Sequence, residues 1–505
     1  MTASRPGVVA SGHPAVCEAA AEVLGAGGNA FDAAVAAGFA AAVAEPMFTS
    51  LGGGGFLLAR TADASSTLFD FFSDAPGRGL EGTQLEPHFE PVTVHFPASD
   101  QVFNMGLGSV AVPGSLAGFL HVHRRLGSLP LSDITAPAVA LARDGIVLNE
   151  HQAYVIGLLE PINTLTPEGG ALYAPGGRSP DAGERFVNPD LAAFIEDLAR
   201  GGGDSLYSGD VARRIADDMR RGGGLLTEAD LSAYRVLERE PLVFGYRGLR
   251  VLTNPPPSFG GSLIAVLLRL LEALSGDPPA FGTPEHLARL CAAMQEVGAL
   301  HGRTLAATDP LPEALVASCA GRARRATGGT THVSVGDARG NAASMTLSNG
   351  EGSGYVVPGT GIMLNNMLGE DDLHPDGFHA SPPGVRVASM MSPSLVLRGD
   401  DVALILGSGG SKRIRTAIPQ VLCAFADHGM RVAEAVEAPR IHWDGECLQA
   451  EPGFAPHVWD RLERCWRVNH WPEPNLYFGG VHAVDGLRGE GAGDSRRGGA
   501  VRVVR

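Results

Sequence analysis

Residues 328–346 constrain the fold more than any other part of the chain. His332 and Ser334 alternate with Val333 and Val335, residues 337–341 supply turn formers, and residues 342–347 resume an extended pattern. The pattern predicts a β-hairpin. Its entrance is unusual, because an Ala- and Arg-rich run, residues 319–327, and two glycines lead into the strand that begins on Thr330. Two readings follow. In one, Thr330 and Thr331 are β-favouring residues at a strand start. In the other, the Gly329–Thr330 bond is cut and Thr330 carries a hydroxyl and a free α-amine on one residue. An α-amine has a pKa near ~8, so much of it acts as a base at neutral pH without a histidine.

The chain has 505 residues and 44% apolar content, enough for one large core or two moderate ones. Its net charge of −16 argues against nucleic acid or an anionic membrane as partner. The short basic run of Arg322, Arg324 and Arg325 reads as a solvated connector. Six cysteines (Cys17, Cys291, Cys319, Cys423, Cys447, Cys465) show no CxxC pair and no metal-ligand spacing, which fits reduced thiols. No metal, flavin or nucleotide cofactor is expected. The first residues lack the apolar core of a signal peptide, and the expected location is cytoplasmic.

In order along the chain, a strand at residues 8–12 precedes a helix over 15–26 that Gly27 and Gly28 stop. A second helix, residues 33–44, capped by Asn29 or Asp32, is apolar on nearly every face. It is short for the ~20 residues a membrane span needs, and Glu45-Pro46 ends it. Gly52 to Gly55 precede a strand with neither the Lys-Ser/Thr nor the helix of a phosphate loop, so they read as a place of close backbone approach. A buried strand at 68–72 follows. Helices are expected within 110–125, 136–144, 191–198 and 210–221, and Thr227 with Asp230 has the form of a capping box. Further helices run from Gly261 to about 274 and from 286 to about 305. A strand at 402–407 leads through Gly407-Ser-Gly-Gly-Ser411 into a helix ending at 418, and a short helix covers 432–438. Strands and helices come in separate runs, which indicates α+β.

Residues 330–342 (Thr-Thr-His-x-Ser, then Asp-x-x-Gly-Asn-Ala), followed by 354–366, resemble the small-subunit start of the γ-glutamyltransferases. Gly27-Gly-Asn-Ala-x-Asp-Ala-Ala34 and Gly52 to Gly55 are similar to the large-subunit motifs of that family. The resemblance spans nearly the whole chain and implies an N-terminal-nucleophile (Ntn) hydrolase. The implied fold is a four-layer αββα sandwich built from two autoproteolytic fragments, residues 1–329 and 330–505, which together form one domain.

The implied chemistry is acyl transfer. Thr330 attacks a carbonyl, its own amine moves the proton, and water or an acceptor amine clears the acyl-enzyme. Self-cleavage uses the same hydroxyl on the Gly329 carbonyl. The family's oxyanion glycines fall on Gly410 and Ser411, or one residue earlier on Gly409 and Gly410. Ser348 stands where relatives have a Thr that orients the nucleophile. Asn349, Asp372 and Ser389 match substrate contacts, Asp372 being the residue implied to hold an α-ammonium. Three positions depart from the pattern: the carboxylate-clamping Arg falls on Phe72, a second serine on Met390, and a Gln or Glu on Met367. A phenyl ring cannot replace a bidentate guanidinium, so the catalytic centre reads as kept and the glutamyl pocket as rebuilt. Arg78 and Arg386 are the candidates for a replacement clamp. His332, beside the nucleophile, reads as a packing residue.

The expected partner is a small γ-glutamyl-like or other acyl substrate. Alternatives are a hydrolase of antibiotic (alkylproline) biosynthesis that cleaves a C–C bond, a cephalosporin-acylase-like amidase, and an unprocessed single-chain binding protein.

Overall fold

The computed structural model describes residues 5–80, 87–96, 99–202, 206–274, 277–300, 329–370, 373–374 and 377–505. Two antiparallel sheets form its centre. The first has seven strands in the order Ala500–Val504, Gly7–Ser11, Thr331–Gly336, Ala342–Ser348, Gly54–Arg60, Ser66–Phe71 and Leu237–Arg239. The second has six, in the order Glu490–Ala492, Gly480–Asp485, Asp401–Gly409, Ser394–Arg398, Leu249–Thr253 and Leu242–Tyr246. The expected hairpin is present, with Thr331 opposite Leu347 and Gly336 opposite Ala342.

Period-two alternation sorts the side chains between two cores. Val333, Val335, Met345 and Leu347 join the core under the helices Pro14–Gly25 and Ala30–Ala44. Phe56 and Leu58 point the other way, into the core shared with Leu404, Leu406 and the helices Phe259–Ala273 and Ile414–Ala426. Helix, sheet, sheet and helix are thus stacked as the αββα sandwich that the resemblance implied.

Helix Ala30–Ala44 is buried at every position, which explains its lack of a polar face. It starts three residues earlier than expected. Asn29 accepts the Phe31 and Asp32 N–H groups, and Asp32 reaches back to the Asn29 N–H at 2.9 Å, completing a capping box. Asp337 in the hairpin turn accepts the Ala30 N–H at 3.0 Å, so the turn is tied to the helix start. Helix Ile414–Ala426 also corrects the expectation, since it runs through Pro419 instead of stopping at Ile418. Val421, Leu422 and Phe425 beyond the proline are buried, and their packing outweighs the lost helical hydrogen bond. Among the described residues, no helix is long and apolar enough to cross a membrane.

Candidate active site

Thr330, at the entrance of the hairpin, is buried. Its Oγ1 lies 3.5 Å from Ser348 Oγ, at the far limit of a hydrogen bond. Ser348 Oγ donates to the Gly329 carbonyl at 2.6 Å and accepts the Gly350 N–H at 3.0 Å. One serine therefore touches both the candidate nucleophile and the carbonyl that it would attack. Gly329 has no room for a side chain, because a Cβ there would run into the Gly350 carbonyl oxygen and close on that of Met47 at 2.6 Å.

The glycine-rich end of strand Asp401–Gly409 packs against the same residue. A Cβ on Gly409 would collide with the Thr330 carbonyl oxygen. Gly410 has φ 116° and Ser411 φ 49°, both in the left-handed region, and the turn then enters helix Ile414–Ala426. Glycine is needed at the first position, whereas Ser411 holds a conformation that is costly for a residue with a Cβ.

His332 makes no approach to this chemistry. Ser334 Oγ gives its proton to the His482 carbonyl at 3.0 Å, so it accepts from His332 Nε2, and Nδ1 accepts the Thr346 hydroxyl at 2.8 Å. Both ring nitrogens are used, and burial pushes the imidazole well below its usual pKa. His332 is a neutral packing residue, as the sequence suggested.

Phe72, Met367 and Met390 are all buried and belong to one apolar cluster with Phe56, Leu368 and Met391. The Phe72 ring stacks on Phe56 with centroids 5.5 Å apart, so it fills space in the core. Arg386 is no free replacement for the missing guanidinium. Its side chain lies 3.4 Å from Asp70 and 3.2 Å from Asp74, and it also donates to the Phe72 carbonyl and to Tyr234 Oη. Burial still pushes the Asp74 carboxyl up to about 6. Arg78 is less committed, with a side chain 43% exposed and 4.0 Å from Asp230. Asn349 is buried, its amide 3.5 Å from the Leu364 carbonyl, and its Oδ1 has no partner among the described residues. Ser389 accepts the Met391 N–H at 3.1 Å. Asp372 lies outside the described residues. Among the described residues, no cluster of three or more His, Cys, Asp or Glu is arranged to hold a metal ion.

Two residues beside the candidate nucleophile were not singled out from the sequence. Arg497, buried, donates to the Thr330 carbonyl at 3.1 Å. Glu45, at the C-terminal end of helix Ala30–Ala44, accepts the Thr331 hydroxyl at 3.0 and 3.1 Å. Burial raises its carboxyl to about 7, against the Thr331 hydrogen bond and the nearby Arg497. A sequence signal existed for each, since Glu45 ends the uncharged run 33–44 and Arg497 lies in the tightly punctuated run 494–499.

A helix-covered pair of antiparallel sheets with a threonine at the start of an inner strand defines an Ntn-hydrolase fold. The comparisons then fix the family. The family model for gamma-glutamyltranspeptidase matches residues 17–316 and 303–504, and the chain belongs to that family. It is 35% identical to the acylase ACY 1 proenzyme of Pseudomonas sp. (strain SE83) over 477 residues, covering 90% of this chain and 85% of that one. It is 32% identical to the glutathione hydrolase proenzyme of Escherichia coli (strain K12) over 506 residues, covering 91% and 85%. Among solved structures, the cephalosporin acylase from Bacillus halodurans superposes with a TM-score of 0.83 at 25% identity, covering 99% of this chain and 96% of that one. The chain is thus an enzyme of the γ-glutamyltransferase-like Ntn-hydrolase class.

Proposed function

We propose that Thr330 is the nucleophile of a self-processing acyl-transfer enzyme, cut at Gly329–Thr330 into fragments 1–329 and 330–505. The observation that carries this is Ser348, whose hydroxyl lies 3.5 Å from Thr330 Oγ1 and donates at 2.6 Å to the Gly329 carbonyl. In processing, Thr330 Oγ1 bonds to the Gly329 carbonyl carbon and the C–N bond breaks. Water then hydrolyses the resulting ester, leaving a carboxylate on Gly329 and an amine on Thr330. The Ser348 proton steadies the oxygen on which negative charge develops. In turnover the amine takes the Thr330 hydroxyl proton and returns it to the leaving group, and water or an amine releases the acyl group. Main-chain N–H groups of the Gly409–Gly410–Ser411 turn are the proposed oxyanion donors, supported by the contact of that turn with Thr330.

The preferred donors are acyl groups whose head is uncharged. A glutamyl α-carboxylate would meet Phe72, Met367 and Met390, and burying it without a cation costs several kcal/mol. Similarity to two acylases supports this reading, and the unpartnered Asn349 Oδ1 is the candidate polar contact. Asp372 has a proposed role only with a γ-glutamyl donor, whose α-ammonium it would hold. The buried thiols Cys17, Cys291 and Cys423, none of them in a disulfide, suit a reducing compartment, which supports a cytoplasmic location.

The test is a denaturing gel with intact mass. The reading requires loss of the 52.4 kDa chain and a fragment beginning at Thr330, both abolished by Thr330→Ala. A chain that stays whole after prolonged incubation overturns it. Processed enzyme is then given γ-glutamyl-p-nitroanilide and butyryl-p-nitroanilide, and faster release from the second is expected.

A further inference from the structure

We propose that Arg497 is a positioning residue that depresses the basicity of the Thr330 α-amine, with Glu45 as the opposing charge. This rests on the reading of Thr330 as a new chain end. The Arg497 guanidinium donates to the carbonyl of the same residue that would carry the amine, at 3.1 Å. That oxygen and the amine nitrogen are three bonds apart, so the positive charge sits within roughly 6 Å of the nitrogen. A cation at that range favours the neutral amine, the form that accepts the hydroxyl proton.

The arginine is held rigidly. Asp494 accepts the Arg496 N–H at 3.1 Å, pairs with Arg440 at 2.7 Å and with Arg496 at 3.1 Å, and Arg496 also pairs with Glu451 at 2.6 Å. This buried network fixes the turn Ser495–Arg497. The Arg497 side chain also donates to the Leu476 carbonyl at 3.4 Å and lies over the Phe48 ring at 5.4 Å, while its Nε has no hydrogen-bond partner among the described residues. Burial and Arg413 lower its pKa to about 10, so it remains charged at neutral pH.

Among the described residues, other titratable groups lie near this corner, Glu351 and Glu370 beside Gly350 being two of them. His151, His482 and His332 are held neutral by burial, His151 and His482 with pKa values near about 4. His13 is lowered for the same reason. Asp494 is spent on Arg440 and Arg496, and Arg413 adds positive charge on the far side. Ser348 is uncharged. Glu45 touches Thr331, one residue along, and offsets Arg497 in its ionised form, which prevails above about pH 7.

The sequence offers a direct readout, because Lys412 is its single lysine. Reductive methylation of processed enzyme with 13C-formaldehyde labels only the chain's own N-terminus, Thr330 and Lys412, and NMR then titrates each amine. In the wild type, the Thr330 signal is expected to titrate below the ordinary α-amine value of about 8. In Arg497→Gln it should rise by about one pH unit or more, moving the acid limb of kcat/KM by the same amount with the high-pH plateau kept. Glu45→Gln should move both downward, and Arg497→Lys should restore the wild-type profile. If Arg497→Gln is not processed, the wild type and Glu45→Gln decide. A wild-type value at or above about 8, a Glu45→Gln value that does not fall, or equal titration in wild type and Arg497→Gln overturns the proposal. Failure to obtain any fragment starting at Thr330 would instead sink the nucleophile reading on which it rests.

Discussion

The Ser348 hydroxyl is hydrogen-bonded to the Gly329 carbonyl at 2.6 Å, across the hairpin from the residue whose hydroxyl would attack that carbonyl. Its oxygen also accepts the Gly350 N–H at 3.0 Å, which fixes the direction in which the proton is given.

Removing that donor should slow self-cleavage without unfolding the chain. Ser348→Ala is expected to reduce the processing rate by about 10²- to 10³-fold, as loss of one oxyanion donor does elsewhere. Ser348→Thr keeps the hydroxyl and should process within about tenfold of wild type. Band intensities against time on a denaturing gel give both rates, and equal rates for the alanine variant and wild type would exclude the role.

Gly329→Ala tests geometry rather than chemistry. The added methyl would be driven into the Gly350 and Met47 carbonyl oxygens, so the scissile carbonyl must leave Ser348. Overpacking of this kind costs about 1–3 kcal/mol, and the expected result is persistent full-length chain with a folded circular-dichroism spectrum. Prompt cleavage would mean that the backbone here yields easily.

Phe72→Arg is expected to destabilise the protein by roughly 3 kcal/mol, read as a lower denaturation midpoint. The guanidinium would enter an apolar cluster whose nearby carboxylates, Asp70 and Asp74, already face Arg386. Adding Met367→Gln and Met390→Ser gives the charge polar neighbours. The triple variant should shift the kcat/KM ratio of γ-glutamyl- to butyryl-p-nitroanilide upward by about tenfold or more. An unchanged ratio would argue that specificity is set elsewhere, with Arg78 next in line.

Glu45 should leave a mark on stability. Its carboxyl has a pKa of about 7 in the folded chain against 4.5 for an exposed glutamate. Between those values the folded state keeps a proton that the unfolded state has lost. Stability from this group is therefore present below about pH 4.5 and falls as pH rises to 7 and beyond, by roughly 3 kcal/mol at most. Relative to Glu45→Gln, the wild type should match it near pH 5 and melt lower near pH 8. Parallel melting curves across that range would contradict the assignment.

The hairpin, a helix cap at Asn29 or Asp32 and the line of glycines before Phe56 were legible in sequence, because each is a local pattern. The positions of Thr330, Ser348 and the Gly409–Ser411 turn came from motif likeness, and the fold brings all of them together. Glu45 and Arg497 were not legible as partners. They lie at opposite ends of the chain, and the sheet that sets Gly7–Ser11 between Ala500–Val504 and Thr331–Gly336 brings both to the start of one strand. The reach of helix Ile414–Ala426 past Pro419 was hidden for a related reason, since long-range burial decided against a local breaker. His332 shows the converse. Its neighbours Thr346 and Ser334 are close in sequence, and its packing role was readable.

The strand order of the larger sheet bears on what a cut at Gly329 would leave behind. Strand Gly7–Ser11 is flanked on one side by Ala500–Val504 and on the other by Thr331–Gly336, while Ala342–Ser348 is zipped to Gly54–Arg60. The two pieces are interleaved like fingers of clasped hands, with three seams of main-chain hydrogen bonds in this sheet alone. Each of the two large sheets takes strands from both pieces. Hydrolysis of the one peptide bond would free an amine without freeing a subunit, so the mature pair would neither exchange partners nor reassemble readily from separately made halves.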